Sequence, residues 1–163
     1  MTITRRTFMA TGVTALGLSV AGCLGDNTDE WAVDETLPAT TAVQYQSPGC
    51  DCCDVYADYL QGYLDTTLET ETRDDLAPIK DERGIDEELR SCHTVDLDGY
   101  VVEGHVPVEV IATLFEEEPE IDGIALPGMP AGSPGMGGSK PESESWTIYK
   151  LDADGEAGTY MEL

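Results

Sequence analysis

Three cysteines, Cys50, Cys52 and Cys53, fall within four positions of the stretch "SPGCDCCDVYADYLQGYL", residues 47–64. Thiols this close support three kinds of chemistry: ligation of a thiophilic metal, disulfide exchange through the Cys50/Cys53 pair, or a structural staple. A second group of donors, Cys92 and His93, stands in "RSCHTVDLDGYVVEGH", and that run closes on His105. Two thioethers, Met129 and Met136, occur in the repeated "PGM" of "PGMPAGSPGM". Thioethers are soft donors that copper accepts where thiols would oxidise. Taken alone, a lone histidine such as His105 is more often a cap or a surface residue, and a Gly/Pro/Met loop more often a linker.

The elements around these residues decide what they can do. "TTAVQYQS" is a short β-prone run closed by Pro48-Gly49, which reads as a strand and a turn. Tyr56, Tyr59, Leu60, Tyr63 and Leu64 follow at helical spacing, and extending their stripe backward lands on Cys53 and Cys52. The cysteines therefore belong to the first helical turn, near the positive end of the helix dipole, which favours thiolate. That placement raises reactivity without choosing between exchange and ligation. Cys52 adds a third soft donor, which suits Cu(I) or Zn(II), and the charges of Asp51 and Asp54 attract a cation.

"TLETET" reads as a half-exposed strand, and Asp75 caps a short helix that stops at Gly84. "TVDLDGYVVEG" is a hairpin about Asp98-Gly99. Pro107 opens a helix with Val108, Ile111, Ala112 and Phe115 on one face, "IDGIALPG" is a strand, and "WTIYKL" and "TYMEL" form a hairpin about Asp154-Gly155. This order is that of an α/β, thioredoxin-like fold, a central mixed sheet flanked by helices, in which a CxxC sits between the first strand and its helix. Such chains carry a cis-proline at the entrance to the hairpin. Cys92 and His93 stand there instead, which weakens a thioredoxin-type redox cycle and offers a thiol and an imidazole to the site begun by Cys50, Cys52 and Cys53. Four thiols and a histidine exceed the four ligands of a tetrahedral site, so some serve otherwise.

The N-terminus reads as targeting apparatus. Arg5 and Arg6 precede an apolar stretch of 15 residues, Phe8 to Gly22, that ends in Val20-Ala21-Gly22-Cys23. The stretch is short against the ~20 residues of a membrane span, and resembles a twin-arginine signal with a lipobox. The expected organisation is a signal peptide over 1–22, an acidic flexible tether over 23–39, and a thioredoxin-like metal-binding domain over 40–163, held by a lipid on Cys23 at the outer face of the cytoplasmic membrane. Net charge is −25, and removing the two arginines of residues 1–22 takes it to −27. No basic patch remains for nucleic acid. The acids are scattered through periodic segments rather than run in blocks, which resembles the solvated surface of a salt-loving organism's protein. Apart from Cys23 the cysteines number four, an even count that the oxidising exterior allows to pair.

"PGCDCC", "ELRSCHTVDLDGYVVEGHVP" and "GIALPGMPAGSPGM", in that order, resemble the small exported proteins of domain of unknown function 411 over about Val43 to Tyr149. That resemblance implies a thioredoxin-like fold and a metal-binding role associated with copper resistance. It is carried by Cys50, Cys52, Cys53, Cys92, His93, His105, Met129 and Met136. Members usually have Gly between the first two cysteines and Trp soon after the third; this chain has Asp51 and tyrosines, and neither change removes a donor. The expectation is a tethered, non-enzymatic protein that binds Cu(I), with zinc as the second candidate metal, and exchanges it with a copper-accepting or copper-donating protein. The alternatives are a thiol-disulfide oxidoreductase with Cys50 attacking and Cys53 resolving, and a domain stapled by two disulfides.

Overall fold

A computed structural model of the chain describes residues 31–152 and 158–163. Arg5, Arg6, Cys23 and the Asp154-Gly155 turn lie outside the described residues. The first strand, β1 (Ala42–Gln46), is followed by α1 (Asp51–Gln61), β2 (Leu68–Thr72), α2 (Ala77–Glu82) and a 3-10 turn (Glu87–Leu89). The hairpin β3 (His93–Leu97) and β4 (Tyr100–Glu103), helix α3 (Val108–Glu117), and strands β5 (Gly123–Ala125), β6 (Thr147–Leu151) and β7 (Gly158–Glu162) complete the order. The strands form one mixed sheet, β2-β1-β3-β4-β5-β6-β7. Its parallel pairs, β1/β2 and β4/β5, are those joined through α1 and α3, as a parallel crossover requires. The fold is α/β and thioredoxin-like.

Alternation along the strands divides the apolar residues between the two faces of the sheet. Val95, Leu97, Val102, Ile124 and Ile148 meet Tyr56 and Leu60 of α1 and Val108, Ile111 and Leu114 of α3 in the main core. Val101, Ala125 and Leu151 point the other way, into a smaller cluster with Ile85 and Leu89. The buried face of β1 departs from this pattern, since Gln44 and Gln46 are buried there beside Ala42.

The Asp98-Gly99 turn forms as expected, with both residues at positive φ, 52° and 99°. The Asp98 carboxylate also accepts hydrogen bonds from the backbone N–H groups of Thr40 and Thr41, each at 2.8 Å. These bonds hold its acid at about 2, below the usual carboxylate range. Asp75 Oδ1 accepts from Ala77 N at 2.9 Å at the start of α2. Helix α1 ends at Gln61, so Tyr63 and Leu64 lie in the following turn rather than on the helix. In α3, Val110 and Leu114 enter the core while Ala112 and Phe115 only flank it.

Residues 31–39, expected to belong to the tether, contribute to the packed core. Trp31, Leu37 and Ala39 are core residues, and the packed chain includes residue 31. Leu37 N–H donates to Tyr63 O at 2.7 Å, the Trp31 carbonyl accepts from the Tyr59 hydroxyl at 3.1 Å, and the Trp31 ring lies 5.3 Å from that of Trp146. These anchors sit singly among acidic and turn-forming residues, so no apolar period marks them. Among the described residues, no helix is long and apolar enough to cross a membrane.

Candidate metal centre

Gly49, at φ +70°, turns the chain out of β1 and into α1. Cys50 is the N-cap of α1, and its carbonyl receives the N–H of Cys53 at 3.0 Å and of Asp54 at 3.2 Å. One helical turn thus brings Cys50 and Cys53 together, and their sulfurs are joined in a disulfide. Cys52 is a free thiol with its sulfur 3.6 Å from that of Cys50. The glutamines of β1 strap this turn from beneath: Gln44 Nε2 donates to the Cys53 carbonyl at 2.9 Å and Gln46 Nε2 to Asp54 Oδ1 at 2.6 Å. Of the four cysteines expected as thiol donors, Cys52 and Cys92 are free here and Cys50 and Cys53 are paired.

The entrance to β3 carries the second half of the site. The Cys92 carbonyl oxygen lies 3.8 Å from Cys53 Sγ, so this entrance faces the disulfide where a cis-proline stands in a thioredoxin. The Cys92 sulfur lies 3.3 Å from His93 Nδ1 and 3.1 Å from His105 Nε2. Since a carbonyl only accepts, the 2.7 Å contact from His105 Nδ1 to Pro134 O places that ring's proton on Nδ1 and leaves Nε2 bare toward the sulfur. Tyr56 packs against both imidazoles, with ring centroids 4.5 Å from His93 and 5.3 Å from His105, and its hydroxyl donates to Val106 O at 2.8 Å.

Burial keeps both imidazoles neutral. It pushes His93 well below the ordinary 6.5, with His105 and Lys80 adding to the shift, and it lowers His105 against the opposing pull of Pro134 O. Burial also pushes the Cys92 thiol up to about 12, with neighbouring Cys52 adding to the rise. Cys92 is thus a protonated thiol beside the bare Nε2 of His105. His93 Nε2 is buried with no hydrogen-bond partner among the described residues. The nitrogen of this ring that faces the Cys92 sulfur is Nδ1.

Two overlapping donor groups result. The sulfurs of Cys50, Cys52, Cys53 and Cys92 lie within 4.8 Å of one another, and so do donor atoms of Cys92, His93 and His105. Cys92 belongs to both. The thioether loop is built against them: Gly135, at φ +80°, lies so close that a Cβ there would sit 3.1 Å from both Cys52 O and Tyr56 N. Met136 follows directly, whereas Met129 is 40% exposed. Trp31 Nε1 donates to Gly132 O at 2.8 Å and holds the loop from its far side.

Sequence reasoning missed the polar residues that support this centre. Lys80 of α2 and Glu103 of β4 form a buried ion pair on the opposite face of the sheet, joined by the Thr94 hydroxyl. Gln44, Gln46 and Pro134 were likewise unmarked. A glutamate closing the apolar run "YVVE" was the one available signal.

Residues 89–136 match the sequence pattern of the family described as protein of unknown function, DUF411. Two solved structures of copper resistance protein CopG, termed form 1 and form 2, each resemble the chain with a TM-score of 0.64 and 30% identity over 75% of its length. The chain in turn covers 95% and 96% of theirs. The chain belongs to the DUF411 family. The DUF411 match contains Cys92, His93, His105, Met129 and Met136, while Cys50, Cys52 and Cys53 lie ahead of it. No curated protein sequence matches the chain.

Proposed function

We propose that this DUF411 protein binds copper as Cu(I) outside the cytoplasmic membrane and buffers it or hands it to a partner protein. The observation that carries this reading is the position of Cys92, whose sulfur is shared between a four-sulfur group and a pair of neutral imidazoles. Soft thiolates and imidazole are the donors copper prefers, and His93 Nδ1 and His105 Nε2 both face the Cys92 sulfur. Kinship with a structure described as a copper resistance protein supports the choice of metal. Zinc suits the same donors.

Cys52 and Cys92 bind as thiolates, and a dithiol reductant supplying two electrons and two protons to the Cys50–Cys53 disulfide adds the other two sulfurs. His93 and His105 are imidazole ligands, Met136 is the nearer thioether candidate, and Met129 is the more exposed one. Residues 1–22 serve as the export signal through Arg5 and Arg6, and Cys23 carries the lipid; Cys23→Ala then moves the protein from the membrane fraction to the soluble one.

The test is Cu(I) titration of the reduced full chain against a chromophoric Cu(I) chelator. The wild type is expected to bind more tightly than a Cys50→Ser/Cys53→Ser variant, and equal affinity ends the proposal. The disulfide favours a second reading, a thiol-disulfide oxidoreductase in which Cys50 attacks and Cys53 resolves. Insulin reduction that survives metal removal and depends on Cys50 selects that reading.

A further inference from the structure

Glu103 is fully buried, lies on the sheet face opposite the main core, and touches none of the sulfurs or imidazoles in the site. Its carboxylate gathers three donors. Lys80 Nζ forms the buried ion pair, the Thr94 hydroxyl donates to Oε2 at 2.6 Å, and the backbone N–H of Ser91 donates to Oε1 at 2.5 Å. Thr94 and Ser91 bracket Cys92 and His93. The β3/β4 ladder ends with Thr94 opposite Glu103, and a further bond runs from Gly104 N to His93 O at 3.1 Å. Beyond it the backbone of Ser91 needs an acceptor from elsewhere, and the carboxylate supplies one. Gly104 lets the two segments close up, since a Cβ there would meet Ser91 Cβ at 2.9 Å and Leu126 O at 2.6 Å.

A buried ion pair is a weak source of stability, and apolar residues of similar size often replace one without loss. The surroundings of this pair include the apolar cluster of Val101, Ala125 and Ile85, which would accept such a replacement. What an apolar pair could not do is hold Ser91 N–H. We infer that Glu103, paired with Lys80, is a positioning residue that fixes the Ser91–Thr94 segment and so sets where the Cys92 sulfur stands between the cysteine turn and His105. Groups behind metal ligands act in this way, and their loss weakens affinity about 10- to 100-fold.

The inference rests on the copper reading for its binding test and stands apart from it for its thiol test. The binding test uses the full chain in four forms: wild type, Lys80→Met/Glu103→Leu, Cys92→Ser, and the combined triple variant. Glu103→Asp retains the charge opposite Lys80 but falls short of Ser91 N, and repeats the test with the ion balance intact. Cu(I) affinity is expected to fall about tenfold or more in each Glu103 variant, and the triple variant should bind no more weakly than Cys92→Ser alone. A double-mutant cycle of this kind separates positioning of Cys92 from general loosening. Unchanged affinity in the folded variants, or a loss undiminished once Cys92 is gone, overturns the inference. Should the wild type bind no Cu(I), the copper reading falls and the thiol test decides: metal-free alkylation of Cys92 by iodoacetamide in a Cys52→Ser background. A severalfold change in rate at unchanged global stability supports positioning, and an unchanged rate overturns it.

Discussion

The sulfur of Cys92 lies 3.1 Å from Nε2 of His105, and the opposite nitrogen of the same ring donates to the carbonyl of Pro134 at 2.7 Å. The proline carbonyl thereby fixes which nitrogen of His105 is bare. That nitrogen faces a thiol which burial keeps protonated, its acid pushed up to about 12. Cys92 must lose this proton before it can bind a metal ion, so loading should release protons and grow tighter as pH rises.

The sulfur pairing makes the first prediction. Alkylation of the native full chain without reductant, mapped by peptide mass, should label Cys52 and Cys92 and leave Cys50 and Cys53 unlabelled. Reduction should then expose both. Labelling of Cys53 before reduction would contradict the pairing.

Stability against pH makes the second. Both imidazoles have folded-state values below the ordinary 6.5, so as pH falls the unfolded chain takes up protons before the native one does. Their contribution is therefore complete above 6.5 and is lost progressively below it. Each contributes a slope of up to about 1.4 kcal/mol per pH unit. In urea unfolding at fixed salt between pH 7 and 5, wild type should lose stability faster than His93→Gln. The carboxylates are common to both proteins and cancel, so parallel slopes would contradict the burial of a neutral His93.

Gly135→Ala makes the third. A side chain at φ +80° is strained by about 1–2 kcal/mol, and its Cβ would press on Cys52 O and Tyr56 N. Urea unfolding should show at least that loss. The displaced loop should also take Pro134 O from His105, read as a shift of the His105 imidazole resonances in NMR. An unperturbed His105 would show that the loop does not orient the ring.

Salt makes the fourth. Each basic residue among those described is engaged: Arg73, Lys80, Arg83, Arg90 and Lys150 in ion pairs, and Lys140 over the Trp146 ring at 5.5 Å. With 33 acidic residues against eight basic ones, the carboxylates far outnumber the available counter-charges. Screening should relieve the repulsion among the carboxylates, so the urea midpoint should climb with KCl as the Debye length falls from about 10 Å at 0.1 M to about 3 Å at 1 M. A midpoint indifferent to KCl would remove the reading of the acidity as an adaptation to salt.

Much of the centre was legible because its donors fall at positions that local rules identify. Turn residues and helical spacing put Cys50, Cys52 and Cys53 at a helix start, and Asp98-Gly99 fixed the hairpin that brings Cys92 and His93 to its mouth. What stayed hidden depends on contacts between distant segments. Glu103 reads locally as the end of a strand, and only the meeting of α2 with the start of β3 gives it Lys80 and Ser91 as partners. Pro134 matters through its carbonyl, which no side-chain pattern reveals. Trp31 and Leu37 read as tether because an isolated apolar residue has no period to detect, and their burial depends on contacts with the distant Tyr59, Tyr63 and Trp146.

Trp31, whose indole grips Gly132 of the thioether loop, stands eight residues after Cys23. A fully extended chain spans at most about 3.6 Å per residue, so a lipid on Cys23 would keep that indole within about 29 Å of its attachment point. The leash is short compared with the reach of a freely diffusing receptor. On the proposed reading, a protein so held would trade copper with neighbours embedded in or lying on the same bilayer, and the number of residues between Cys23 and Trp31 would cap how far above that surface the exchange could take place.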